Sequence, residues 1–82
     1  MPGIARIGDK DSRNDTKNQG SSKVKSDGSF VVRFGDLDTR SDTMVESSSK
    51  VKADNKFVCR IGDKDSRNDT ITQGSSKVIV HQ

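Results

Sequence analysis

The sequence has no tryptophan and no tyrosine, and only three phenylalanines among its 82 residues. Only 27% of the chain is hydrophobic, against roughly 45–50% in an ordinary globular protein. Burial of so few apolar side chains cannot by itself offset the conformational entropy of ordering the chain. Either the chain is partly disordered, or regular hydrogen bonding and a partner stabilise the fold. The scarcity of aromatic rings also argues against a single-stranded nucleic-acid binder, which stacks bases on such rings.

Cysteine and long apolar runs are also nearly absent. Cys59 is the single cysteine, so an internal disulfide framework is excluded and secretion by an oxidising route is not indicated. No apolar run approaches the ~20 residues of a membrane helix, and no signal peptide is expected. The net charge is +3. Because Lys and Arg alternate with Asp, we expect a solvated surface of both signs and no nucleic-acid partner.

An internal repeat organises the whole chain. A shift of 27 residues aligns the sequence with itself three times without a gap, as units 4–30, 31–57 and 58–82, and such self-similarity is the signature of a repeat architecture. Because apolar positions recur in register, we expect a single domain over residues 1–82 rather than a disordered repeat. The positions shared by all three units include Arg6, Arg33, Arg60, Gly8, Gly35, Gly62, Asp9, Asp36, Asp63, Asp11, Asp38, Asp65, Arg13, Arg40, Arg67, Asp15, Asp42, Asp69, Lys23, Lys50 and Lys77.

Each unit predicts a short strand, a tight turn and a return strand. In the first unit, residues 23–25 alternate polar and apolar, as a strand with one wet face does. Asp27-Gly28 is a strong hairpin signal, because both central residues of such a turn need positive φ. Residues 30–34 form the predicted return strand.

The other two units repeat this pattern. The second has a predicted turn at Asp54-Asn55 and a return strand over residues 57–61, and the third ends in a strand over residues 78–80. Asn tolerates the left-handed conformation nearly as well as Gly does. The glycine that ends each return strand indicates a positive φ or a close backbone approach. No segment of ten residues has helical periodicity, so no helix is expected.

With these elements placed, the repeat resembles that of PAAR-repeat proteins. Residues 4–9, 31–36 and 58–63 are similar to the family's A-A-R-x-G-D element, and residues 20–24 and 74–78 to its G-S-x-x-V strand start. Asp27-Gly28 resembles the N-G hairpin turn of the family, and residues 1–6 are a typical opening. Three registered copies are more specific than any single element.

The resemblance implies a fold and a structural role. PAAR proteins are small three-sided β cones, and one copy caps the blunt end of a homotrimeric β-helical spike in contractile phage tails, type VI secretion and related particles. We therefore expect an all-β wedge with a pseudo-threefold axis relating residues i, i+27 and i+54. We expect it in the virion at the tail spike tip, made in the host cytoplasm, or in the cytoplasm and then delivered by a secretion machine. The residues expected to face inward are Ile4, Ile7, Val24, Val31, Phe34, Val51, Val58, Ile61 and Val78.

The family commonly binds zinc near the vertex through several His and one Cys, and this sequence departs from that pattern. The matching loops hold Arg13, Arg40 and Arg67 instead. A tetrahedral zinc site needs about four ligands, whereas this chain has one Cys and one His. Cys59 is expected to be a small buried apolar residue, and His81 an exposed or fraying one. We therefore expect no metal and no other cofactor.

The loop from Asp9 to Asp15 loosely imitates a calcium loop, with acidic residues at alternate positions. Arg13 stands where such a loop needs an oxygen ligand, and Gly20 stands at the place of its bidentate Glu. The alternative is that the aspartates bind local backbone in turns. A non-specific cation on the threefold axis is a further possibility.

The vertex loops carry a second hypothesis, in which ion pairs replace the metal. Threefold repetition brings three arginines and three aspartates together, and interleaved they can form a ring of charge-assisted hydrogen bonds. The alternative is that these side chains point to water. The residues of this predicted ring are Arg13, Asp15, Arg40, Asp42, Arg67 and Asp69.

No enzyme constellation is visible, because the single His has no orienting carboxylate and no nucleophile partner in view. The residues of the repeat motif are interpreted as structural; they are Arg6, Gly8, Asp9, Arg33, Gly35, Asp36, Arg60, Gly62 and Asp63. An alternative function is a binding module for an anionic polymer, a glycan or a nucleic acid. Its candidate residues are Lys23, Lys25, Lys50, Lys52 and Lys77.

Overall fold

Two short antiparallel hairpins are the regular elements of residues 3–80, the part of the chain described by the structure, which is a computed structural model. Strand β1 (Lys25–Ser26) pairs with β2 (Ser29–Phe30), and β3 (Lys52–Ala53) pairs with β4 (Lys56–Phe57). Single β-bridges join most of the remaining described segments. Residues 3–80 contain no helix, so the prediction of an all-β fold is confirmed, and none of that range forms a helix able to cross a membrane.

The hairpin turns have the backbone that the sequence predicted. Asp27 and Gly28 have φ of 53° and 85°, and Asp54 and Asn55 have φ of 55° and 68°. Two consecutive residues with positive φ match the right-handed twist of the flanking strands, which is why Asp, Asn and Gly occupy these positions. The predicted strands around the turns are shorter than expected, with two residues on each side.

The glycine after each return strand also has the predicted conformation. Gly8, Gly35 and Gly62 have φ of 99°, 86° and 98°. An added Cβ at these positions would meet no atom within 4 Å. The left-handed backbone alone, and not a close approach, therefore requires glycine here.

Backbone hydrogen bonds join the three sequence units in a closed cycle. The amide of Val32 donates to the carbonyl of Ala5, the amide of Cys59 donates to that of Val32, and the amide of Ala5 donates to that of Cys59, each at 2.9 Å. All three residues are fully buried. Small side chains at these positions allow the three backbones to approach this closely, which explains the cysteine at position 59 as a packing residue.

The two ends of the described chain meet as well. Gly3 bridges Ile79 in the antiparallel sense, and the carbonyl of Gly3 accepts from the amide of Ile61 at 2.9 Å. The carbonyls of Phe30 and Phe57 accept the equivalent bonds from Ile7 and Phe34, at 2.8 Å each. A contact made by a hairpin strand in two units is therefore made by the start of the chain in the third.

The buried apolar residues form two clusters. One cluster contains Ile4, Val31, Ala53, Val58 and Val80. The other contains Ala5, Val32, Met44, Cys59 and Ile71. Consecutive residues such as Val31 and Val32 enter different clusters, so the segment does not follow the alternation of an ordinary strand.

Five residues expected to face inward are exposed, and Ile7 is half-buried. Val24, Val51 and Val78 are 40%, 42% and 42% exposed, and Phe34 and Ile61 are 47% and 36% exposed.

These residues are exposed because Val24 and Phe34 each lie in a turn, where the alternation of buried and exposed side chains along a strand does not apply. The Oγ of Ser21 accepts from the amides of Lys23 and Val24 at 2.9 and 2.8 Å. The amide of Asp36 donates to the carbonyl of Arg33 at 3.0 Å, which closes a turn around Phe34. The expectation was correct for Ile4, Val31 and Val58.

Candidate functional site

The loop after each Gly-Asp pair is held by one aspartate. In the first unit, Oδ1 of Asp11 accepts from the amides of Arg13 and Asp15 at 2.9 and 3.0 Å. Asp38 and Asp65 accept the same two bonds in their own units. This is the local backbone role that the sequence offered as the alternative to a calcium loop.

The three loops are joined to one another by their backbones. The amide of Ser12 donates to the carbonyl of Thr70 at 2.7 Å, that of Thr39 to Thr16 at 2.9 Å, and that of Ser66 to Thr43 at 2.8 Å. Each loop thus donates to one neighbour and accepts from the other. These contacts close a second cycle of three, in the loops that also carry the charged side chains.

The structure brings the arginines and aspartates of the predicted ring together as ion pairs, of which only Arg67 with Asp42 has the predicted hydrogen bond. The Nε of each arginine lies next to the Oδ2 of an aspartate from another unit. The three pairs are Arg13 with Asp69 at 3.2 Å, Arg40 with Asp15 at 3.3 Å, and Arg67 with Asp42 at 3.0 Å. The aspartate side chains are 13–17% exposed and the arginine side chains 43–51% exposed. The carboxylates are therefore mostly covered, while the guanidiniums reach water.

A lysine lies fully buried next to the equivalent aspartate of each unit. The Nζ of Lys17 is 3.2 Å from Oδ2 of Asp11, 3.2 Å from Oδ2 of Asp38 and 3.5 Å from Oδ2 of Asp65, and all four side chains are 0% exposed. The ammonium donates hydrogen bonds to Asp11 and Asp38. One positive charge therefore stands between three carboxylates supplied by three different units. We call the three aspartates that surround the Lys17 ammonium the carboxylate cage.

Burial and hydrogen bonds shift the pKa values of Lys17, Asp38 and Asp65 in different directions. Burial alone lowers the pKa of Lys17, but its hydrogen bonds to Asp11 and Asp38 outweigh burial, so the pKa is raised above its ordinary value. Burial opposes the ionisation of Asp38, yet backbone and Lys17 hydrogen bonds lower its pKa. For Asp65, which is farther from the ammonium, burial dominates and raises the pKa. The Oδ2 of Asp65 accepts no hydrogen bond.

The repeat motif Arg-x-Gly-Asp forms a local fork in every unit. The guanidinium of Arg6 donates to both carboxylate oxygens of Asp9, at 3.0 and 3.1 Å, and the amide of Arg6 donates to the same carboxylate at 2.8 Å. Arg33 binds Asp36 and Arg60 binds Asp63 in the same way. These hydrogen bonds raise the pKa of each arginine. The motif residues are therefore structural contacts that hold the turn at each glycine.

The remaining candidate residues contribute no metal-binding group of the zinc type within residues 3–80. Cys59 is fully buried, and burial raises the pKa of its thiol, which disfavours the thiolate that binds metals. His81 lies outside the described residues. The acidic groups close enough to hold an ion contain only aspartates, and the most buried of them is the carboxylate cage, Asp11, Asp38 and Asp65.

Sequence reasoning did not single out Lys17. Its equivalents in the other units are Met44 and Ile71, which are buried in an apolar cluster. A lysine in register with Met and Ile is the signal that could have identified it, because a charged side chain at a core position needs a buried partner. The register of Asp11 with Asp38 and Asp65 supplies that partner.

The chain matches no protein-family model, and it has no significant match among curated proteins. Any functional assignment therefore rests on the sequence motifs and on the geometry described above.

Proposed function

We propose that the chain is a structural tip that caps and sharpens the homotrimeric central spike of a contractile injection machine, with a phage tail favoured over a secretion system. In this proposal the three units stand about a pseudo-threefold axis as a small three-sided cone. The observation that carries it is the set of closed contact cycles, in the backbone and in the ion pairs, to which all three units contribute. The resemblance of the motifs to PAAR repeats supports the same conclusion.

Symmetry explains why one chain suits a trimeric partner. A homotrimer presents three identical surfaces around its axis. Three units in one chain offer each spike subunit an equivalent contact without a symmetry mismatch. The proposed stoichiometry is therefore one copy of this chain for three spike subunits.

The charged loops suit the point of such a tip. One aspartate of each loop accepts backbone amides of its own loop, and a second aspartate pairs with an arginine of another loop. A surface of paired charges is hydrophilic. Ion pairs that orient one another in a network can make the loops more rigid than isolated pairs would. Such a point is driven through an envelope by force and does not partition into lipid.

The exposed valines are the candidate contact with the spike. Val24, Val51 and Val78 occupy equivalent positions and are exposed to almost the same extent, 40–42%. In this proposal the spike covers these three exposed apolar residues of a chain that is otherwise 33% charged. Three equal contributions are what a threefold partner requires.

Co-expression with the C-terminal part of a cognate trimeric spike tests the proposal. Native mass spectrometry is expected to show one chain bound to three spike subunits, and binding is expected to raise the apparent Tm of this chain by mass action. A complex with three copies of each protein, or a homotrimer of this chain alone, would contradict the one-to-three arrangement.

Charged substitutions of the valines locate the interface. Val24→Asp, Val51→Asp and Val78→Asp are expected to weaken spike binding to a similar degree, because the three positions are equivalent. Ser41→Asp is the matched control, since Ser41 is exposed in a charged loop and has a φ of 65° that aspartate tolerates. Equal binding by all four variants would place the interface elsewhere.

A second candidate function is supported by the exposed lysines. Lys23, Lys50 and Lys77 are exposed at equivalent positions, and the ammoniums of Lys25 and Lys52 lie 4.8 and 4.7 Å from the ring centres of Phe30 and Phe57. Binding of an anionic polymer through these lysines falls steeply with salt, whereas seating on a spike tolerates it. Heparin or nucleic-acid retention that disappears at moderate salt would favour this alternative.

A further inference from the structure

The carboxylate cage consists of three equivalent carboxylates that surround one cation, the ammonium of Lys17. Asp11, Asp38 and Asp65 come from equivalent positions of the three units, whereas the ammonium comes from Lys17 alone. The equivalents of Lys17 are Met44 and Ile71, and the three residues are 0%, 1% and 1% exposed. One position in the repeat therefore carries either a core hydrophobe or the cation.

We propose that Lys17 is an internal counter-ion that occupies a cation site, and that this site takes a hard divalent cation of the calcium, manganese or magnesium class when the lysine is removed. The proposal also states that the cage accepts the ammonium from any of the three units. It concerns the stability of the centre and does not depend on the proposed function.

The oxygens of the cage are arranged for a cation. Each aspartate uses Oδ1 for two backbone amides of its own loop, so the backbone fixes the carboxylate and leaves Oδ2 to face Lys17. One ligand oxygen from each aspartate lies within 4.8 Å of the others. Three converging carboxylate oxygens are hard ligands, which favour calcium, magnesium and manganese over softer metals.

Two observations point to a cation as the ligand of the three carboxylates. A cation, the Lys17 ammonium, already lies within 3.5 Å of all three Oδ2 atoms. The Oδ2 of Asp65 is buried, lies 3.5 Å from the ammonium and accepts no hydrogen bond. The lysine thus satisfies two carboxylates by hydrogen bonds and leaves the third with an electrostatic contact only.

The test uses an exchange that keeps the composition of the chain unchanged. Lys17→Met leaves three buried carboxylates without a cation, and its Tm in EDTA is expected to fall by on the order of 15 °C or more. The double variant Lys17→Met with Met44→Lys supplies the ammonium from the second unit. We expect it to regain most of the lost Tm, in EDTA and without added metal.

Metal addition tests the second part of the proposal. With calcium or manganese chloride at millimolar concentration, the Tm of Lys17→Met is expected to rise by several degrees, and manganese titration to give about one bound ion per chain. Wild type and the exchange variant are expected to show neither effect. Lys17→Met combined with Asp38→Asn and Asp65→Asn is the control that removes the ligands and is expected to lose the metal response.

Three results would overturn the proposal. The first is an exchange variant as unstable as Lys17→Met, because the cage would then depend on the position of the lysine. The second is a folded Lys17→Met chain whose Tm does not change when calcium or manganese is added. The third is stoichiometric manganese binding by the wild type. If Lys17→Met fails to fold in EDTA and in metal, the metal part is refuted, and the exchange variant still decides whether the cage accepts a cation from another unit.

Discussion

Replacing Arg13, Arg40 and Arg67 together with alanine is expected to destabilise the joined loops. Each arginine pairs with one aspartate at 3.0–3.3 Å, and its own side chain is about half exposed. Exposed ion pairs contribute about 0.2–1 kcal/mol each. Three pairs in one cycle are therefore expected to contribute about 1–3 kcal/mol, or a fall in Tm of roughly 5–15 °C for a domain of this size.

A matched variant separates ion pairing from overall charge. Lys23, Lys50 and Lys77 form no ion pair within residues 3–80, so their joint replacement by alanine also removes three positive charges but breaks no ion pair. The arginine variant is expected to lose more stability than the lysine variant in low salt. The difference is expected to shrink in 1 M salt, where the Debye length is about 3 Å.

Urea denaturation and amide hydrogen exchange provide the two readouts. In the arginine variant, the amides of Ser12, Thr39 and Ser66 are expected to exchange faster, because they donate across the joined loops. Equal unfolding free energies for the arginine and lysine variants, together with unchanged protection of these amides, would refute the reasoning. The charges of the ring would then be merely solvated.

Three further predictions concern the cage, a turn and the thiol. At neutral pH, Asp38→Asn is expected to destabilise the fold more than Asp65→Asn, because the fold lowers the pKa of Asp38 and raises that of Asp65. Stability from ionised Asp38 is present above its unfolded pKa of 3.8 and is lost as the pH falls through its lower folded value, so acid titration of unfolding should abolish the difference. Gly28→Ala is expected to cost about 1–2 kcal/mol in urea unfolding, because Gly28 has a φ of 85°, and an unchanged midpoint would contradict this. Cys59 is expected to react with a thiol reagent only after unfolding, since it is fully buried and its pKa is raised; rapid labelling of the native protein would show that the segment opens.

Local chemistry made the turns and the loop contacts predictable. Asp, Asn and Gly at positions 27, 28, 54 and 55 favour positive φ in a two-residue hairpin turn, and the structure has it. The proximity of Arg67 and Asp42 was expected from the 27-residue register, which places the two residues in corresponding loops. These predictions needed only backbone preferences and the 27-residue register.

The exposure of Val24 and the burial of Lys17 could not be derived by the same rules. Alternation assumes a continuous strand, whereas a Ser21 turn interrupts it before Val24. The burial of Lys17 depends on carboxylates 6, 21 and 48 residues away in the sequence, and a local pattern contains no such information. A comparison of the three units position by position, asking where a charge replaces a hydrophobe, is the procedure that identifies it.

The single lysine of the cage has a consequence for how this architecture can be encoded. A homotrimer built from one short subunit would place three identical residues around its centre. Three lysines there would repel one another, and three methionines would leave the aspartates without a counter-charge. Covalent fusion of three units removes that restriction, because Lys17, Met44 and Ile71 can differ while their surroundings stay equivalent. A single chain thus allows one lysine at the centre of three carboxylates, while Met44 and Ile71 at the corresponding positions keep the core apolar.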